Sequence, residues 1–72
     1  MRIQYFLRRR VYGGQINRQW FAWLYYSVKG QEFQQSKGDP WPVRTPPREE
    51  IRQAIGQEIG IPPDSIQLEL KR

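Results

Sequence analysis

The chain has 72 residues, with twelve Lys/Arg against seven Asp/Glu, a formal net charge of +5, and neither cysteine nor histidine. It cannot form a disulfide or a thiolate metal site, and it lacks the commonest ligand for zinc, copper and nickel and the commonest general acid–base group. A chain this short buries only about 60–65% of the surface its unfolded form exposes, so stability has to come from its ten aromatic residues, from tight turns or from association.

The first element reads as a strand from Arg2 to Tyr12. Ile3, Tyr5, Leu7, Arg9 and Val11 alternate with Arg2, Gln4, Phe6, Arg8, Arg10 and Tyr12. Only the first set is mostly apolar, so it is expected to face the core. Gly13-Gly14 signals a turn. The second strand, Arg18 to Val28, is apolar or aromatic on both sides, with Trp20, Ala22, Leu24, Tyr26 and Val28 on one and Phe21, Trp23 and Tyr25 on the other. Such a strand is expected to be central and covered on both faces. Lys29-Gly30 signals a second turn, leading into a short third strand, Gln31 to Gln35, anchored by Phe33.

Residues 36–45 form a Gly/Pro-rich connection, and a helix is predicted over 46–59. Thr45 is the expected N-cap, with Pro46 or Pro47 at the first helical position and Glu49 and Glu50 at the positive end of the dipole. Ile51, Ala54, Ile55 and Ile59 make one apolar stripe at helical spacing. Gly56 inside the helix costs about 1 kcal/mol relative to Ala, so the helix depends on packing. Gly60 is the expected terminator, with Ile61 making the accompanying apolar contact, and Pro62-Pro63 prevents continuation. A last strand over 65–71 points Ile66, Leu68 and Leu70 inward and Gln67, Glu69 and Lys71 outward.

The order β-β-(β)-α-β predicts an α+β fold in one domain spanning residues 1–72. It combines a small, mostly antiparallel sheet of three to four strands with one helix on one face; a return of the last strand beside the first through the helical crossover is one arrangement compatible with this order, which does not itself fix the strand order.

The helix offers too few apolar side chains to cover both sets of strand-two aromatics. One set is therefore expected on the opposite face, beside Phe6, Arg8, Arg10 and Tyr12. Aromatic rings interleaved with arginines are the composition that binds single-stranded nucleic acid: bases stack on rings and guanidinium groups take phosphates. The charge distribution agrees, because residues 1–44 carry eight Lys/Arg against two acids while residues 45–72 carry four against five. The candidate interface is Arg8, Arg10, Arg18, Phe6, Tyr12, Phe21, Trp23 and Tyr25.

Competing readings use the same residues. The rings could be packing, with the connection folded back over them and Trp41 as a plug. A protein partner that is acidic or binds aromatics, or a homodimer, would bury Phe21, Trp23, Tyr25 and Trp41 equally well, since aromatics and Arg dominate interfaces. The Arg8-Arg9-Arg10 run alternates faces in a strand and also suits a solubilising, edge-guarding strand end. The outer helix face, Arg48, Glu49, Arg52, Gln53 and Gln57, reads as solvated. Ser27, Ser36 and Ser65 have no base nearby in sequence, and no phosphate-binding glycine loop precedes the helix. A non-catalytic binding module without a cofactor is therefore expected. No stretch approaches the length of a membrane span, and no signal-peptide-length apolar run opens the chain. A cytoplasmic location is the expectation.

Overall fold

Alternating aromatic, aliphatic and polar side chains build β1 (Arg2–Tyr12) and β2 (Gln19–Val28), which pair antiparallel from Ile3 opposite Val28 to Tyr12 opposite Gln19. The computed structural model describes residues 1–13 and 18–72. The turn expected at Gly13-Gly14 lies partly outside the described residues; Gly13 itself takes φ 103°, a conformation natural only to glycine. At the other end of β2, Lys29 and Gly30 both have positive φ, and the Gln31 N–H closes the turn on the Val28 carbonyl at 3.1 Å.

Two short strands lie along the outer edge of β2. β3 (Gln34–Gln35) pairs with Tyr26 and Tyr25, and β4 (Trp41–Pro42) pairs with Ala22 and Phe21. α1 (Arg48–Ile59) then crosses one face of the sheet, and β5 (Gln67–Leu70) returns parallel to β1 along Arg2 to Tyr5. The path β3-β2-β1-β5 makes β2 central, as its composition implies, and the fold class is the α+β arrangement expected.

Three local expectations are corrected. The third strand is two residues rather than five, because the Gln31 backbone is taken by the turn and its carbonyl accepts the Ser27 hydroxyl. The connection contains a strand, β4, whose pairing is extended by the Val43 N–H on the Trp20 carbonyl at 2.9 Å. Pro42 is tolerated there because β4 is an edge strand. Thr45 is not the N-cap of α1: Pro47 takes that place with an extended backbone (ψ 158°), and no side chain caps the helix. A residue before proline is disfavoured in the helical region, so Pro46 cannot begin the helix. The Pro47 carbonyl accepts the Glu50 and Ile51 N–H groups instead, at 3.0 and 3.3 Å.

The C-terminal end of α1 forms as expected. Gly60 takes φ 75°, and its N–H and that of Ile61 both reach the Gly56 carbonyl. Pro62-Pro63 does more than stop the helix: Pro63–Ser65 forms a 3₁₀ turn that delivers Ile66 to the core. Arg52, expected in solvent, is half-buried and ties the helix to this segment through the Ile66 carbonyl at 3.0 Å, while pairing with Glu49 at 2.7 Å.

The core is Ile3, Tyr5, Leu24 and Tyr26 from the sheet, Ile51 and Ile55 from α1, and Ile66, with Ala54, Ile59 and Trp41 packed around it. Each such aliphatic side chain contributes about 1.5–3 kcal/mol when fully buried. This cluster occupies only the end of the hairpin where β1 starts and β2 finishes. The radius of gyration is 13.1 Å, against about 11 Å for a compact chain of this length. The molecule measures 43 × 20 × 19 Å, elongated along the hairpin.

Candidate nucleic-acid interface

The pleat that points Ile3, Tyr5 and Leu24 at α1 sends the alternate residues of both strands to the opposite face. There the register sets Phe6 opposite Tyr25, Arg8 opposite Trp23, Arg10 opposite Phe21 and Tyr12 opposite Gln19. Seven of the eight residues singled out in the sequence thus share one face. Arg18 does not join them: it is exposed, just before β2 and beyond the Tyr12–Gln19 pair. It is about 16 Å along the strand from Trp23.

The expectation that β2 is covered on both sides is corrected, because α1, the one α-helix among the described residues, lies on the core face. The rings of the open face instead cover one another. Phe6 stacks on Tyr25 with centroids 4.9 Å apart and ring planes 2° from parallel. Phe33 tilts against Phe6 at 5.2 Å, and Tyr12 meets Phe21 edge-on at 5.6 Å. Phe6, Phe21, Trp23 and Tyr25 are accordingly half-buried, whereas Tyr12, Arg8 and Arg10 are exposed.

Trp41 is not a plug for this face. It pairs with Ala22, which is buried on the α1 side, and packs against the core above Ala54. The connection passes on the helix side of the sheet. Trp41 therefore also lies on the opposite side from Phe21, Trp23 and Tyr25, and one partner surface cannot bury all four together.

Cations are held over and between the rings. The Arg8 guanidinium lies 5.3 Å from the Tyr25 centroid and 6.0 Å from that of Phe6. Arg10 donates to the Tyr25 hydroxyl at 2.8 Å, and that hydroxyl donates to Gln35 at 3.1 Å. Lys71 sits 4.8 Å from the Phe33 ring and 5.4 Å from Phe6. The acid on this face, Glu69, is at the start of β1, where it takes up Arg2 at 3.6 Å and Gln4 at 3.3 Å. On the reverse side of the hairpin Arg9 lies 4.6 Å over the Trp20 ring. The buried indole N–H of Trp23 has no partner among the described residues.

Sequence reasoning did not place Phe33, Gln35 or Lys71 in this face. For Lys71 a signal existed: the alternation of the last strand points it outward, and a parallel return beside β1 sets it next to Phe6. Phe33 lies outside any strand, so alternation says nothing about its side.

A second titratable cluster lies on the helix side. The carboxylate of Glu58 accepts from the Tyr26 hydroxyl, the Ser36 hydroxyl (2.9 Å) and the Lys37 N–H (2.7 Å). Burial opposes its ionisation, but these donors outweigh it and hold the carboxyl below the usual range. Burial, with help from Glu58, pushes the Tyr26 hydroxyl up to about 12. All three donors join elements of the fold to one another, so the cluster acts as a structural tie. Among the described residues no three potential metal-ligating side chains converge, and no helix is long and apolar enough to cross a membrane.

No family model, curated protein or solved structure matches the chain.

Proposed function

We propose that this chain is a non-catalytic module that binds nucleic acid through the sheet face opposite α1. The observation that carries the reading is that this open face collects Arg8, Arg10 and Lys71 around a set of rings, with its acid, Glu69, neutralised at the far end by Arg2. Guanidinium groups fixed by ring contacts and a tyrosine hydroxyl are pre-oriented phosphate donors, which lose less freedom on binding than free arginines.

The test is titration with fluorescent single- and double-stranded oligonucleotides at low and physiological salt. Binding in the micromolar range or tighter is expected, falling steeply as salt rises through counterion release. Arg8→Ala with Arg10→Ala should weaken it without unfolding the protein. Absent or salt-independent binding sinks the reading and leaves the aromatic face to a protein partner.

A further inference from the structure

Beyond the nucleic-acid reading, and not resting on it, we infer that the open edge of β1 accepts an acidic, extended segment of another protein as an added strand. The outer edge of β2 is occupied by β3 and β4, and by the Val43 N–H on the Trp20 carbonyl. The edge of β1 is not. β5 runs beside it from Arg2 to Tyr5, and the pairing stops where the Lys71 N–H reaches the Tyr5 carbonyl at 2.9 Å. From Leu7 to Val11 no strand among the described residues lies on that side.

The register shows which groups are left over. Gln67 and Lys71 donate to the carbonyls of Met1 and Tyr5, so the odd-numbered residues of β1 turn their backbone groups away from β2. The pairing with β2 runs without a break from Ile3 to Tyr12, which carries the same alternation on to Leu7, Arg9 and Val11. Leu24 and Trp20, opposite Leu7 and Val11, agree with it, since their own carbonyls face outward to Ser36 and Val43. Leu7, Arg9 and Val11 thus each hold an N–H and a C=O toward the open side, the ladder of a sheet that can be extended.

Chemistry selects the occupant. A phosphate backbone only accepts, so it leaves the carbonyls of this edge unserved, whereas a peptide strand satisfies donors and acceptors alike. Arg8, Arg9 and Arg10 follow one another along the edge, and no carboxylate pairs with any of them among the described residues. An added strand therefore meets a cation at successive positions on alternate faces, with Leu7 and Val11 flanking Arg9 on the α1 side. A run of acids between two apolar residues matches that row. A second copy of this chain does not, because pairing through this edge sets arginine against arginine.

The probe is a capped peptide about seven residues long, Val-Glu-Glu-Glu-Val between threonines, and the readout is amide hydrogen exchange of the full chain followed by NMR. With the peptide bound, the Leu7 and Arg9 N–H groups are expected to exchange on the order of tenfold more slowly. Those of Arg8 and Arg10, already turned toward β2, should change little. Replacing the glutamates by glutamine should weaken binding several-fold and remove its salt dependence. N-methylation separates an added strand from a loose ion pair. Methylating the backbone nitrogens of the outer two glutamates blocks one edge of the peptide; methylating those of the central glutamate and the valines blocks the other. Only one of these should abolish binding, and which one gives the strand direction. The inference is overturned if the peptide does not bind, if Leu7 and Arg9 are not protected, or if both methylated peptides bind like the parent. It is overturned too if a single-stranded oligonucleotide protects the same two amides, which would make this edge part of the nucleic-acid surface. Oligonucleotide binding without that protection, beside a peptide that fails to bind, strikes this inference alone and leaves the nucleic-acid reading standing.

Discussion

The Tyr26 hydroxyl, at the centre of the sheet, donates to the carboxylate of Glu58 in the last turn of α1. Ser36 and Lys37 bind the same carboxylate, so one side chain ties together β2, the connection and the helix. Because its folded-state pKa is lowered, the stability Glu58 contributes is fully present above its unfolded value of about 4.3 and is lost as pH falls through the folded value. Tyr26 works at the other limit. With its hydroxyl pushed up to about 12, its contribution is intact below the unfolded value of about 10 and disappears as pH rises from there. Glu58→Gln should destabilise the protein at neutral pH by about 1–2 kcal/mol. It should also flatten the loss of stability on acidification. Thermal unfolding of both proteins across this range is the check: parallel acid limbs would show that the carboxylate is not what couples stability to pH.

Gly56→Ala should destabilise, although alanine is the better helix former by about 1 kcal/mol. A methyl group there would lie 2.6 Å from the Ile61 carbonyl oxygen and 3.4 Å from Pro63 Cγ. The oxygen belongs to the backbone just after Gly60, which is anchored by two hydrogen bonds to the Gly56 carbonyl, so it cannot swing aside. Overpacking of this kind costs about 1–3 kcal/mol. A fall in the urea midpoint of the Ala variant is expected; a rise would mean that the Gly60–Pro63 segment yields easily.

The open face should divide into bracing rings and free ones. Phe6 touches Tyr25, Phe33, Arg8 and Lys71, whereas Tyr12, 44% exposed, meets only the edge of Phe21 among the aromatic contacts. Phe6→Ala should cost about 1–3 kcal/mol of stability. Tyr12→Ala should stay within about 0.5 kcal/mol of the parent. Denaturant unfolding decides this, and equal losses would mean that the stack is not a structural unit.

Much of this arrangement is legible from the sequence where local rules act alone. Alternation across Arg2–Tyr12 and Gln19–Val28 is long enough to separate two faces, and it places Arg8 and Arg10 with Phe21, Trp23 and Tyr25 correctly. Gly60 ends the helix by a purely local device. Failures occur where a distant partner or a competing local rule decides. β4 exists because Trp41 and Pro42 meet the edge of β2, and two residues carry no periodicity. Thr45 has the right side chain for a cap, but the backbone restriction before Pro47 moves the helix start past it. The side taken by Trp41 depends on how the connection crosses the sheet edge, so a large apolar residue in a loop gives no indication of which face it will cover.

The arginine at the middle of the basic run should also guard an open edge. β5 leaves β1 after Tyr5, where the Lys71 N–H takes the last carbonyl. From Leu7 onward no strand among the described residues lies along that side, so the edge offers unpaired backbone groups to any extended chain. Arg9 stands between Leu7 and Val11, and two copies pairing through this edge would bring their Arg8-Arg9-Arg10 runs together. Arg9→Val joins Leu7 and Val11 into one apolar row, raises strand propensity and removes a repelling charge from each copy. Sedimentation over a range of protein concentrations should show stronger self-association of the variant than of the parent, increasing with salt as the remaining arginines are screened. Should the variant sediment like its parent, Arg8 and Arg10 alone suffice to keep the edge from pairing, and Arg9 is left with its place over Trp20 as its structural role.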